Sequence, residues 1–321
     1  MKRLFAAALA ACGLASPLPA GAQGYPTKPI KLIVPLAAAG TGDTLARAVG
    51  EEMGRILGQP VVIENRPGAG GLLGTELVAN APADGYTLLA VSPSHVINAT
   101  LYSKAGYDPV KSFEPVSLMA YTHQILVAHP SVPFATLKEL IDYAKKHPGQ
   151  LNYGSAGTGS ATHLNMELFK SMSGTDIVHV PYKGSTQARQ DVVGGQVHLA
   201  MDGLLPVLAL IKDGRLKALA LTSGHRSATA PEIPTMAEAG VPGYVSDTWY
   251  GLLAPAGTPK DVLAKLEDAA VRAIRTPAVR DRLTKAGAEP AGSSAEEFRR
   301  TIEREKPIWA KVVKESGAKV D

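Results

Sequence analysis

Cysteine is almost missing from this chain. One of its 321 residues is Cys, at position 12, inside an apolar N-terminal run. If that run is a leader, the remaining chain has neither disulfides nor thiol chemistry. Aromatic residues make up only 5%, which argues against a sugar site built from rings stacked on Trp or Tyr. Neither sign of charge dominates: 33 Lys and Arg stand against 29 Asp and Glu, interspersed along the chain. That pattern excludes the basic stripe of a nucleic-acid binder. No stretch beyond the N-terminal run is long and apolar enough to span a membrane. A phosphate loop ending in Lys and a Gly-x-Ser-x-Gly elbow are also lacking, so neither nucleotide hydrolysis nor serine hydrolysis has its signature.

What is present begins with Lys2-Arg3, an apolar run from Leu4 to Ala15, and the breaker Ser16-Pro17-Leu18-Pro19. Ala20-Gly21-Ala22 has the small-x-small form of a signal-peptidase site. Residues 1–22 are therefore expected to be a secretory signal cleaved before Gln23. Leu9-Ala10-Ala11-Cys12 resembles a lipoprotein box, but the apolar run ahead of it is short, and ordinary cleavage near Ala22 is preferred. Loss of Lys2 and Arg3 leaves 31 basic residues against 29 acidic, a net charge of about +2. A disulfide-free exported protein of this size points to the bacterial periplasm.

Short apolar strands alternate with amphipathic helices, the pattern of parallel α/β architecture. Strands are expected at Lys31–Pro35, Val61–Glu64, Thr87–Val91, Ile125–Ala128, Leu151–Tyr153, Ile177–Val180, Val197–Met201 and Leu216–Thr222. The first helix carries Leu45, Val49, Met53 and Ile56 on one face and stops at Gly58, with Asp43 or Thr41 as its cap. Capping boxes open helices at Thr136-Leu137-Lys138-Glu139 and Ser294-Ala295-Glu296-Glu297. The pattern changes character near Tyr121. Asn65 to Gly74 is rich in glycine, yet its spacing is wrong for a dinucleotide loop, and the strand Thr87–Val91 does not end in an acid to hold a ribose.

Tyr153-Gly154-Ser155-Ala156-Gly157-Thr158-Gly159-Ser160-Ala161-Thr162-His163-Leu164 joins a strand to a helix whose apolar residues Leu164, Leu168 and Met172 recur every four positions. Its glycines permit a tight turn, and the unpaired amides of a helix N-terminus favour an anion. The alternative is a turn made small for close packing. Ser92-Pro93-Ser94-His95 closes a strand at its carboxyl end, which in parallel sheets faces the ligand crevice. His163 and Glu167, four apart, have the spacing of a metal pair, but no further ligand-rich segment joins them, and a hydrogen-bonded structural pair is the better expectation. Asp202, at the end of a strand, can accept a hydrogen bond from a ligand or cap the following helix. Tyr182 and Lys183 can hold an anionic substituent, or Lys183 is simply solvated. No arrangement demands catalysis, and no cofactor or metal is called for.

Glu64-Asn65-Arg66-Pro67-Gly68-Ala69-Gly70-Gly71, Ala83 to Leu89, Gly154 to Ser160, Val180-Pro181-Tyr182-Lys183-Gly184 and Trp249 to Pro259 together resemble the Bug (TctC-like) substrate-binding proteins of tripartite tricarboxylate transporters, over essentially the whole mature chain. The resemblance implies a two-domain Venus-flytrap periplasmic binding protein without catalysis, each domain a mostly parallel sheet flanked by helices. Residues 23–122 with 249–321 would form one domain and 123–248 the other. It implies a small organic carboxylate as ligand, a membrane transporter or a sensor as partner, and a monomer. The gripping loops carried over from it are Leu36 to Asp43, with Leu36, Ala38, Ala39, Gly40, Thr41 and Asp43, and Ser155 to Ser160, with Ser155, Ala156, Gly157, Thr158, Gly159 and Ser160. Ser94, Tyr182 and Asp202 lie near the cleft by the same likeness, and Ser92, His163 and Lys183, beside them in the chain or on the same loops, complete the expected ligand-binding set. The first loop departs from the family pattern Val-Pro-Phe-Pro-x-Gly-Gly-x-x-Asp: Leu36 replaces the aromatic residue and Ala39 a glycine. The competing expectation is a periplasmic α/β hydrolase acting on a carboxylated substrate.

Overall fold

The computed structural model describes residues 24–36, 38 and 40–317. The expected leader with Cys12 and the Ala22 cleavage site, and also Ala39, lie outside the described residues. β1 (Ile30–Val34) leads through a short loop to α1 (Thr41–Leu57); β2 (Val61–Asn65) is followed by a 3-10 turn and α2 (Leu72–Ala79), and β3 (Thr87–Val91) by α3 (Ser94–Leu101). The long β4 (Phe113–Thr122) runs directly into β5 (Gln124–Ala128), with only His123 between them. α4 (Leu137–Lys146), β6 (Asn152–Ser155), α5 (Ala161–Ser173), β7 (Val178–Pro181), α6 (Ser185–Val193), β8 (Leu199–Gly203), α7 (Leu204–Lys212) and β9 (Lys217–Leu221) follow. β10 (Thr248–Pro255), α8 (Lys260–Arg275), α9 (Pro277–Lys285), β11 (Glu289–Pro290) and α10 (Ala295–Ser316) complete the described chain.

These elements build two sheets. The first has the order β11-β4-β10-β3-β1-β2 and the second β7-β6-β8-β5-β9. β2–β1–β3 and β7–β6–β8 are parallel, as alternating strands and helices require. The remaining neighbours are antiparallel, so both sheets are mixed. The reason is connectivity: β10 returns from the second sheet without a crossover helix and inserts between β3 and β4, antiparallel to both. β4, β10 and β11 were not expected from the sequence. In β4, Glu114, Pro115 and Ser117 interrupt the apolar pattern; Pro115 pairs with Leu253, where the register against β10 shifts, a tolerated place for a residue without an amide.

The local signals behave as their chemistry dictates. Leu45, Val49 and Met53 of α1 are fully buried, and Gly58 ends the helix in the left-handed region. The capping boxes at Thr136/Glu139 and Ser294/Glu297 are both closed. The expected cap of α1 is different: Gly40 takes that position with no side-chain bond, and Thr41 and Asp43 lie inside the first turn. One buried apolar cluster joins residues of both sheets, among them Ile33, Leu89, Leu126 and Tyr153, through α3, α5 and the C-terminal α10. Among the described residues, no helix is long and apolar enough to cross a membrane.

Candidate functional site

The expected site residues gather at the carboxyl ends of the parallel strands of both sheets. In the first sheet, the loop after β1 is pinned from below. Asn65 Nδ2 donates to the Leu36 carbonyl at 3.1 Å and to Asp43 Oδ1 at 2.9 Å. Arg47 donates through Nε to Asp43 Oδ2 and through Nη2 to Asn65 Oδ1, both at 2.9 Å. Asp43 is 3% exposed, and its carboxylate is occupied by this network. It fixes the loop and does not cap the helix. Leu36 lies over the first turn of α1: a Cβ at Gly42 would stand 2.5 Å from Leu36 Cδ1 and 3.1 Å from the Tyr250 ring. The Gly40 carbonyl accepts from Thr44 N–H at 2.9 Å, while the amides of Thr41 and Gly42 meet no partner among the described residues. Ser92 and Ser94, after β3, pair through their hydroxyls at 3.0 Å and are half-buried.

The loop after β6 is more elaborate. Ser160 caps α5 by accepting from His163 N–H at 3.3 Å. Gly157 and Gly159 have φ of +116° and +77°, a backbone that side chains other than glycine rarely adopt. Several loop amides are already bonded. Ala156 N–H donates to Thr162 Oγ1 at 2.9 Å, Gly157 N–H to Ser155 Oγ at 3.1 Å, and Gly159 N–H to His163 Nδ1 at 3.1 Å. Gly159, expected to offer its amide to an anion, spends it on His163. The amides without a partner among the described residues are those of Thr158, Ala161 and Thr162, at the N-terminus of α5.

Beneath this loop two imidazoles stack. The rings of His163 and His179 lie 4.1 Å apart at 23°, and His179 also stacks on Tyr153 at 4.9 Å. His179 Nε2 is 2.6 Å from Ser155 Oγ. Burial lowers the pKa of His163, with the charge of Lys170 working in the same direction against Glu167. Burial lowers His179 to about 4, helped by His163. Both rings are therefore neutral at pH 7, and His163 Nδ1 is the unprotonated nitrogen, because it accepts from Gly159. The expected His163–Glu167 pair does not form: Glu167 Oε1 instead accepts from Tyr153 Oη and Lys170 Nζ, each at 2.7 Å.

Tyr182 donates its hydroxyl to Asp191 Oδ2 at 2.6 Å, and burial with that carboxylate pushes its pKa up to about 12. Lys183 is exposed, and its amide donates to Gln187 Oε1 at 3.2 Å. Asp202 does not cap the following helix. It is 3% exposed and receives a bidentate contact from Arg189, Nε to Oδ2 at 2.6 Å and Nη2 to Oδ1 at 3.1 Å, while Gly203 caps α7. Asn65, Arg189, Thr162 and His179 thus hold the expected site residues in place but were missed as its supports. Asn65 was discoverable, since it ends a parallel strand like Ser92. Arg189 was not, because nothing local ties α6 to the end of β8.

A family model described as "Tripartite tricarboxylate transporter family receptor" (TctC) matches residues 45–318. Protein BugT of Bordetella pertussis is 37% identical over 314 residues, covering 97% of this chain and 96% of the relative. Among solved structures, R. palustris Rpa4515 with adipate is 38% identical with a TM-score of 0.75, covering 92% of this chain and all of that one. MatC from Rhodopseudomonas palustris with bound malate is 35% identical with a TM-score of 0.72, covering 90% of this chain and all of that one.

Proposed function

The chain belongs to the tripartite tricarboxylate transporter receptor family, a family of periplasmic solute-binding proteins and not of enzymes, and from that premise we propose that it captures a small dicarboxylate between its two sheets. The observation that carries this is the pair of helix N-termini after β1 and β6, one on each sheet. Each leaves amides without a partner among the described residues: Thr41 and Gly42 at α1, and Thr158, Ala161 and Thr162 at α5. Each helix end carries about half a positive charge. Two such cradles suit one molecule with a carboxylate at either end, and the relatives holding adipate and malate support that class. Arg47 and Arg189 are engaged by Asp43 and Asp202, which leaves the amides as the donors of the two cradles. The two lobes are residues 23–122 with 249–321 and 123–248, the chain passing between them near Tyr121 to Gln124 and again near Thr248 to Tyr250. Release would be to the membrane subunits of a transporter.

The test is a thermal-shift panel with malate, adipate, their diamides and neutral diols. At 100 times its dissociation constant, a ligand adds roughly 2.7 kcal/mol, which for a chain of this length raises Tm by about 4 °C. Dicarboxylates are expected to shift the melt and diamides to leave it unmoved. Equal shifts for acids and diamides would refute the amide-cradle reading.

A second expectation concerns selectivity. Leu36 lies where the family pattern has an aromatic ring, against Gly42 and Tyr250. Leu36→Phe adds volume there, and overpacking costs typically 1–3 kcal/mol. A bulky or branched dicarboxylate should lose about one to two decades of affinity, and a compact one little. Paired titrations on both proteins check this; equal changes for the two ligands would show that Leu36 does not line the pocket.

A further inference from the structure

Away from that site, a second group of chemistry-bearing side chains lies where the chain passes between the sheets. His123 is the single residue linking β4 to β5. Glu289 lies on β11, paired with Tyr121 of β4. His225 belongs to the segment after β9, and Asp247 immediately precedes β10. His123 Nε2 is 2.9 Å from Glu289 Oε2, and His225 Nε2 is 3.3 Å from the same oxygen. One ligand atom from each of the three lies within 4.8 Å of the others. The two imidazole rings stand at 90°, 5.4 Å apart.

We propose that His123, His225 and Glu289 form a binding site for a divalent transition-metal cation of the zinc class, placed at the hinge between the two sheets. Two imidazoles and one carboxylate are a donor set that zinc accepts. Bonds of 2.0–2.2 Å in a tetrahedron separate ligand atoms by about 3.3 Å, close to the spacings around Glu289 Oε2. The side chains of His225 and Glu289 are 53% and 46% exposed, so an ion has a path in and water can complete the coordination. His123, by contrast, is 94% buried, its side chain being only 6% exposed.

An independent observation lies on the far side of the His123 ring. His123 Nδ1 and Asp247 Oδ1 face each other at 3.8 Å, and both are buried with no hydrogen-bond partner among the described residues. A metal on Nε2 places the ring proton on Nδ1, and a small turn of the ring then closes a hydrogen bond to Asp247. A carboxylate behind a ligating imidazole fixes its tautomer and raises its basicity. The metal would thus join β11 of the first sheet to the segment that follows β9 of the second, and supply the donor arrangement that the orphaned pair lacks.

The test is Zn²⁺ titration of the metal-free, untagged full-length mature chain by calorimetry, with Co²⁺ absorption reporting coordination geometry. The expected result is one Zn²⁺ per chain and a tetrahedral Co²⁺ spectrum. His225→Ala and Glu289→Gln, both at half-exposed positions, should each weaken binding roughly tenfold or more, and Asp247→Asn by about tenfold through its effect on His123. His147→Ala, on the end of α4, should leave binding unchanged. No stoichiometric Zn²⁺ uptake, or binding that survives both His225→Ala and Glu289→Gln at wild-type affinity, overturns the proposal. Dicarboxylate binding by the same variants, followed separately, distinguishes loss of this site from loss of the ligand cleft.

Discussion

Gly159→Pro is expected to weaken dicarboxylate binding by more than tenfold, equivalent to about 1.4 kcal/mol or more. The cause is not a lost contact to the anion. Gly159 holds φ at +77°, whereas proline fixes φ near −65°. Proline also removes the amide that donates to His163 Nδ1. Without that bond, the α5 N-terminus loses the strut that runs from Gly159 through the stacked His163 and His179 to Ser155. The amides of Thr158, Ala161 and Thr162 then lose their common aim. Gly159→Ala separates the two causes, since it keeps the donor and disturbs only φ; it should fall between wild type and proline. Calorimetry with malate or adipate measures the change, and circular dichroism confirms that the variants remain folded. Unchanged affinity in a folded Gly159→Pro protein would remove this loop from the binding site.

The second large effect is on stability against pH. Glu305, on α10, is buried, and its Oε2 accepts from Trp249 Nε1 at 2.9 Å and Trp309 Nε1 at 3.0 Å. Burial pushes its pKa from 4.5 up to about 7, against the two indole donors, which favour the charged form. Because the folded pKa is the higher one, the stability linked to this group is complete below pH 4.5. It declines as pH rises through 7. A displacement of that size corresponds to roughly 3 kcal/mol. Glu305→Gln keeps an acceptor for the indoles and cannot ionise, so it should remove this slope. Urea unfolding at pH 4.5, 6 and 8 measures it as the difference between wild type and variant. Parallel stability curves for the two proteins would show that Glu305 does not titrate in this range. The effect bears on function because α10 packs against both halves of the molecule, through α3 and β4 on one side and α5 on the other.

Local chemistry was legible without a structure. Helix caps and stops act over three or four residues, so Thr136 with Glu139, Ser294 with Glu297, and Gly58 mark their helices directly. The alternation of apolar strands with amphipathic helices placed the small-residue loops after β1 and β6 at strand ends, and the motifs themselves carried the family resemblance. What the tertiary structure decided is who bonds whom. Asp202 meets Arg189, Asp43 meets Asn65, and the Gly159 amide meets His163 in place of an anion. The hinge cluster joins Glu289 to His123 and His225 across 166 and 64 residues of chain. β4, interrupted by Pro115, becomes a strand only because β10 lies antiparallel beside it. Periodicity and capping are properties of neighbouring residues, whereas these partners are set by where the topology returns the chain, which no local pattern encodes.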